Sequence, residues 1–161
     1  MENSIDQPAV RFVDYEPKYR DVFRSLNEQW ISQYFKMEEW DYKALDNPEE
    51  YILQKGGAII VALYEDKPVG VCALIKMNDP IYDFELAKMA VSPTMRGKHI
   101  GQLLGEATIK KARELGCKML YLESNTSLKP AISLYEKLGF KRVYGRVSPY
   151  ERSDIQMEME L

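Results

Sequence analysis

Two apolar, β-rich runs, residues 58–64 and 69–77, are separated only by Glu65-Asp66-Lys67-Pro68. Neither run approaches the roughly 20 apolar residues that a bilayer span needs. Both are rich in β-branched and other apolar side chains and are bounded by turn formers, so they predict an antiparallel hairpin. That hairpin commits the chain to a sheet, and the remaining pattern has to supply what covers it.

The flanking segments do so. Residues 10–13 alternate weakly and predict a short first strand. From Pro17, the spacing of Tyr19, Val22, Phe23, Leu26, Trp30 and Ile31 predicts a helix with proline in its first turn. A second helical piece is expected after Asp46-Asn47, with Pro48 in its first turn and Tyr51 and Ile52 on its buried side. Residues 83–91 read as a strand closed by Ser92-Pro93. Ile100, Leu103, Leu104, Ala107 and Leu115 then fit one helical face, with Gly116 at the C-terminal cap. Residues 119–123 read as a strand, and Ala131, Leu134, Tyr135 and Leu138 as a helix stopped by Gly139. Residues 143–147 and 155–159 read as closing strands. The order β-α-α-β-β-β-α-β-α-β-β predicts one α/β (α+β) domain over residues 1–161, a mixed sheet with helices on its faces.

Composition narrows the classes further. Leu, Ile, Val and Phe fill 40 of 161 positions, enough for a packed core without a disulfide or metal. Cys72 and Cys117 lie in apolar surroundings without CxxC spacing and read as buried thiols of a reducing compartment. The first residues show neither a basic start nor an apolar stretch, so no signal peptide is expected and the location is read as cytoplasmic. One histidine and no Cys/His cluster argue against a built-in metal site. A net charge of −3 argues against nucleic acid as a partner. Charge is nonetheless uneven: residues 14–66 carry 12 acidic and 6 basic side chains, and residues 96–118 carry 2 and 6. Two solvated helix faces would produce this, and so would a polyanion site beside a cation site.

The segment Ser92-Pro93-Thr94-Met95-Arg96-Gly97-Lys98-His99-Ile100-Gly101 favours the second account. It joins a strand to an amphipathic helix and opens the basic stretch. A turn there gathers backbone N–H groups at the positive end of a helix, which suits phosphate oxygens. It lacks the GxxxxGK-Ser/Thr pattern of nucleotide-hydrolysing phosphate loops.

Arg96-Gly97-Lys98-His99-Ile100-Gly101, after a strand ending Val-Ser-Pro, resembles the acetyl-CoA signature Gln/Arg-x-x-Gly-x-Gly/Ala of the GNAT superfamily of N-acetyltransferases. Residues 131–140, Ala-Ile-Ser-Leu-Tyr-Glu-Lys-Leu-Gly-Phe, are similar to that family's second landmark, Ala-x-x-Leu-Tyr-x-Lys-x-Gly-Phe. The resemblance covers nearly the whole chain, since element order and length agree as well. It departs at two points: His99 stands where the family usually has the first motif glycine, and Leu128 where it often has asparagine. Asn125 and Thr126 are alternative sources of polar contacts.

The resemblance implies a mostly antiparallel sheet of about seven strands flanked by about four helices, with a splay between the fourth and fifth strands. It implies an acetyl-CoA-dependent N-acetyltransferase working by direct transfer through a tetrahedral intermediate. Glu85 matches the family's general base and could also anchor an ammonium. The Val91 N–H is implied as donor to the thioester oxygen, and Tyr135 as the acid that meets the departing thiolate. Met89, Ala90 and Val91 would pair with the pantetheine arm, and Arg96, Gly97, Lys98, His99, Ile100, Gly101 and Gln102 would hold the pyrophosphate, with Asn125 nearby. Trp30, Tyr34, Phe35 and Trp40 are candidates for the acceptor pocket, and Gly105 for close helix packing. A small-molecule primary amine is the expected acceptor, with no membrane partner, and a homodimer is plausible for the family. The competing reading is a non-catalytic acyl-CoA-binding module of the same fold.

Overall fold

The computed structural model describes residues 9–161, so the N-terminal stretch read for a signal peptide lies outside the described residues. The expected hairpin is present in the sheet, beside its central strand. Strands β2 (Ala58–Tyr64) and β3 (Lys67–Lys76) pair antiparallel across a turn in which Glu65 and Asp66 both take positive φ, 50° and 67°. Such left-handed two-residue turns match the natural twist of paired strands. Around them lie β1 (Val10–Asp14), β4 (Phe84–Val91), β5 (Met119–Ser124), β6 (Lys141–Val143) and β7 (Ile155–Glu160), in the spatial order β1-β2-β3-β4-β5-β7-β6. Every neighbouring pair is antiparallel except β4–β5.

Period-two alternation divides the core into two layers. Ile59, Val61, Leu63, Val71 and Ala73 face the helices α1 (Arg20–Tyr34) and α2 (Glu39–Asp46), meeting Phe23, Ile31 and Leu45. Ile60, Ala62, Cys72 and Leu74 face the helix α3 (Ile100–Glu114), meeting Ile100, Leu104 and Ala112. The helix α4 (Lys129–Leu138) packs Ile132, Tyr135 and Leu138 onto this second layer. Leu138 comes so close to α3 that a Cβ at Gly105 would lie 2.6 Å from its Cδ1, which fits Gly105 to a packing role.

The observed elements differ from the sequence reading in three places. Helix α2 precedes Asn47, and the piece after it is a single wide helical turn, Glu49–Leu53. Trp40 and Tyr42 point outward, 47% and 44% exposed, which hides the apolar period of α2. Strand β6 is Lys141–Val143 rather than 143–147, because it pairs with β7 there and Gly145 takes φ 85°. Leu103 and Leu115 are exposed, so the buried stripe of α3 is narrower than expected. Among the described residues no helix is long and apolar enough to cross a membrane.

One irregularity positions the site. Strand β3 pairs with β4 as far as Val91, but the register shifts between Val71 and Ala73, where β4 holds one extra residue. Lys88 sits in that bulge with φ 53°, an uncommon conformation for a side chain of its kind. Its carbonyl accepts from the buried Asn27 Nδ2 at 3.2 Å, and its ammonium donates to Asp41 Oδ1 at 2.6 Å. Strand β5 touches β4 only at Phe84–Leu120 and Glu85–Tyr121, then follows β7 for its full length. The two central strands therefore part just beyond Glu85.

Candidate active site

A cleft of about 360 Å³ opens where β4 and β5 part. Glu85, Met89, Glu123, Asn125 and Tyr135 line it, with Trp30, Tyr34 and Phe35 from the end of α1 closing one side. The Glu85 carboxyl has no hydrogen-bond partner among the described residues. Burial, and then the charge of Glu123, push its pKa up to about 7, against the opposing pull of Lys88. Glu123 is held differently: it accepts from the Tyr121 hydroxyl at 3.0 Å and from the Ser148 hydroxyl. The cleft thus holds a proton acceptor with an affinity near neutrality beside a second carboxylate fixed by hydroxyl donors. Tyr135 presents its ring edge-on to Phe140, centroids 6.2 Å apart, and burial raises its hydroxyl pKa above the usual value. The phenol thus stays protonated across the neutral range.

Lys88, Tyr150 and Arg152 also line the cleft. Lys88 Nζ donates to the Tyr150 hydroxyl at 3.0 Å, and Arg152 Nη1 and Nη2 donate to Asp41 at 2.6 and 2.7 Å. Burial alone would raise the Asp41 carboxyl, but the Arg152 hydrogen bonds and the Lys88 charge outweigh it and hold the pKa down to about 2.

A second hollow lies past the end of β4, lined by Val91, Arg96, Gly97, His99, Ile100 and Gly101 among others. Gly97 takes φ 81°, and no atom lies within 4 Å of where its Cβ would be. His99 does what the missing glycine would do, adopting φ 58° and ψ 24° as the residue that opens α3. Its side chain is exposed, consistent with histidine tolerating this region at a modest cost. Among the described residues the amides of Gly97, His99, Ile100, Gly101 and Gln102 have no backbone acceptor, while Leu103 N–H is the first to bond back, to His99 at 3.1 Å. Five free N–H groups at the positive end of a 15-residue helix suit a diphosphate.

The structure brings Glu85, Met89, Asn125 and Tyr135 into the first cleft and Val91, Arg96, Gly97, His99, Ile100 and Gly101 around the second. Ala90 is buried against the α1 layer. Lys98 places its ammonium 5.1 Å from the Tyr64 ring centre, and Gln102 Nε2 donates to Glu106 at 3.4 Å. The side chain of Asn125 is engaged internally, donating to the Arg152 carbonyl at 2.7 Å and accepting from Ser127, and Thr126 is engaged by Asp154. Trp40 lies outside the cleft, under the Lys43 ammonium. Val91 lines the second hollow rather than the cleft of Glu85 and lies six residues further along β4. None of the 12 acidic residues of 14–66 lines the cleft, so the acidic bias of that half does not describe an acceptor site. Sequence reading missed Glu123, Lys88, Tyr150 and Arg152. Glu123 was visible as an acid at the end of a strand, but the other three converge only through tertiary structure.

A model described as the acetyltransferase (GNAT) family matches residues 19–140. An Escherichia coli protein named as the uncharacterized N-acetyltransferase YjgM is 38% identical over 100 residues, which cover 62% of this chain and 60% of that protein. The matched stretch thus spans less than two thirds of that relative. An acetyltransferase of GNAT family from Staphylococcus aureus superposes with a TM-score of 0.81 at 19% identity, covering 94% of this chain and 98% of the other. The Salmonella typhimurium protein yncA, whose structure is with its cofactor acetyl-CoA, superposes with a TM-score of 0.75 at 16% identity, covering 94% of each chain. At these identities the two structures establish a shared fold.

Proposed function

This chain belongs to the acetyltransferase (GNAT) family, and from that premise we propose that it moves an acetyl group from acetyl-CoA directly to a primary amine of a small molecule. The observation that carries the reading is Glu85: a carboxylate without a hydrogen-bond partner among the described residues, its pKa pushed up to about 7, at the point where β4 loses its neighbour and in one cleft with Tyr135.

The residues present fit the acyl donor. The five unbonded amides from Gly97 to Gln102, with Arg96 beside them, would hold its diphosphate. The edge of β4 beyond Glu85, left unpaired by β5, would receive its amide-bearing arm like an added strand. Acetyl-CoA, when bound, supplies an activated thioester. Glu85 takes a proton from the acceptor ammonium, directly or through one water, so that the neutral amine attacks. The nitrogen adds to the carbonyl carbon to give a tetrahedral intermediate, whose collapse breaks the carbon–sulfur bond. The proton the nitrogen still has to lose replaces, directly or through water, the one Tyr135 gives up. The Met89 N–H donates to the carbonyl oxygen as it gains charge, and Tyr135 gives its proton to the departing sulfur. Asn125 shapes the wall by tying the loop after β5 to Arg152 rather than by touching the donor.

The test is release of free coenzyme A thiol from acetyl-CoA over a panel of small amines, alongside calorimetry of coenzyme A binding. Acceptor-dependent release that falls in Glu85→Gln supports the enzyme. Binding without release across the panel would favour the non-catalytic module.

A further inference from the structure

The lining of the cleft beside Glu85 carries both charges: Glu85 and Glu123, and with them Lys88 and Arg152 around Tyr150. The counter-ions of the two cations do not face the cleft, since Asp41 is fully buried and neither Asp41 nor Glu38 lines it. Asp41 has no capacity left. Its Oδ1 accepts from Lys88 and Arg152, and its Oδ2 accepts from Arg152 and from the Glu38 amide at 2.9 Å. A cation anchored from the rear in this way is fixed in place yet retains donors for a ligand in front. The Arg152 Nε–H and the Tyr150 O–H have no acceptor among the described residues, although Tyr150 accepts from Lys88. Both cations pack on the Tyr150 ring: Lys88 is 4.8 Å and Arg152 4.6 Å from its centre.

A monoamine would leave these donors desolvated and unpaired, and a polyamine would bring its second charge against two cations. A carboxylate satisfies them. Given the N-acetyltransferase reading, on which this rests, the geometry points to an acceptor that is a free α-amino acid, its carboxylate held by Arg152 and Tyr150 and its amine at Glu85. Trp30, Tyr34, Phe35 and Ile75 also line the cleft and favour an apolar or aromatic side chain.

The test uses the full chain with acetyl-CoA and follows thiol release with L-phenylalanine, L-leucine and L-methionine, with their carboxamides, with phenethylamine and with spermidine. The free acids are expected to exceed their carboxamides in kcat/KM by at least about tenfold, with spermidine lowest. In parallel, calorimetry of L-phenylalanine with the coenzyme A-saturated protein is expected to show binding that the carboxamide lacks. Tyr150→Phe, which keeps the ring and the fold, should shrink the acid-over-amide ratio by about tenfold without changing the KM for acetyl-CoA. Arg152→Lys, checked for folding by its melting temperature, should shrink it as well. Equal or better use of carboxamides, phenethylamine, spermidine or peptide N-termini overturns the inference while leaving an N-acetyltransferase. An unchanged ratio in folded Tyr150→Phe overturns it too. Absence of thiol release with every acceptor defeats the enzyme reading, and this one with it.

Discussion

The two ends of β4 are built on different principles. Past Val91 the site is main chain: amides from Gly97 to Gln102 gathered within one loop and one helix start, with side chains such as His99 turned to solvent. Around Glu85 the site is side chains: Glu85 and Lys88 from β4, Glu123 from β5, Tyr150 and Arg152 from the segment before β7, and Asp41 behind them from α2. A diphosphate is the same in every donor molecule and needs only backbone. An acceptor differs from one enzyme to the next, and its site is free to be assembled from distant segments. Substitutions should therefore have large effects at the Glu85 end and small ones in the loop.

The largest expected effect is on rate. Glu85→Gln removes the proton acceptor and should lower kcat by about 10²–10⁴-fold, the range usual for a general base. Stability should move the other way. The folded-state pKa of Glu85, about 7, lies above the ordinary carboxylate value of 4.5, so its contribution to stability is lost as pH rises from 4.5 through 7. At pH 8 the glutamine variant should melt higher, worth roughly 1–3 kcal/mol. A Glu85→Gln protein that loses both activity and stability would make Glu85 a structural residue and remove the contrast.

Next comes Asp41→Ala. It strands Lys88 and Arg152, with side chains 5% and 13% exposed, without their shared counter-ion. Breaking a buried pair by removing one partner costs roughly 3–5 kcal/mol, readable as a large fall in denaturation midpoint. Since Lys88 forms the bulge, the loss should also reach the cleft. Coenzyme A affinity, set at the other end of β4, should stay within a few fold when measured by calorimetry on the folded fraction.

How much of this could be read beforehand follows the same division. The loop and its helix were legible because Arg96, Gly97 and Gly101 lie within six residues and act through local backbone. Tyr135 was legible because it belongs to a ten-residue pattern. The splay was expected from resemblance, but the Lys88 bulge next to it has no sequence signal, since lysine carries no preference for positive φ. Helix α2 was hidden by outward-facing Trp40 and Tyr42, and with it the position of Asp41 behind the cleft. The Val91 role came from the resemblance alone, since nothing in the local sequence says which amide of β4 meets the thioester oxygen.

A smaller effect separates the two carboxylates. Glu123→Gln keeps a group that can still accept from Tyr121 and Ser148 but removes the charge that raises the Glu85 pKa. The acidic limb of the kcat/KM profile, expected near pH 7, should then move to lower pH, with Lys88 as the remaining charge pulling the same way. Burial is the larger cause of the shift, so the limb should stay above the ordinary carboxylate range. A limb unmoved in the variant would mean that burial alone sets the proton affinity of Glu85.

The smallest effect belongs to the loop. His99 holds φ 58° where the related motif has glycine, so His99→Gly relieves a left-handed conformation and adds unfolded-state freedom. These oppose each other, each below about 1 kcal/mol, and the net change in melting temperature should be slight. The amide at position 99 survives the substitution, and coenzyme A affinity should change by no more than a few fold. Were the affinity to fall by an order of magnitude instead, the imidazole itself would be a phosphate ligand. The distinction between a main-chain end and a side-chain end of β4 would then fail at its clearest residue.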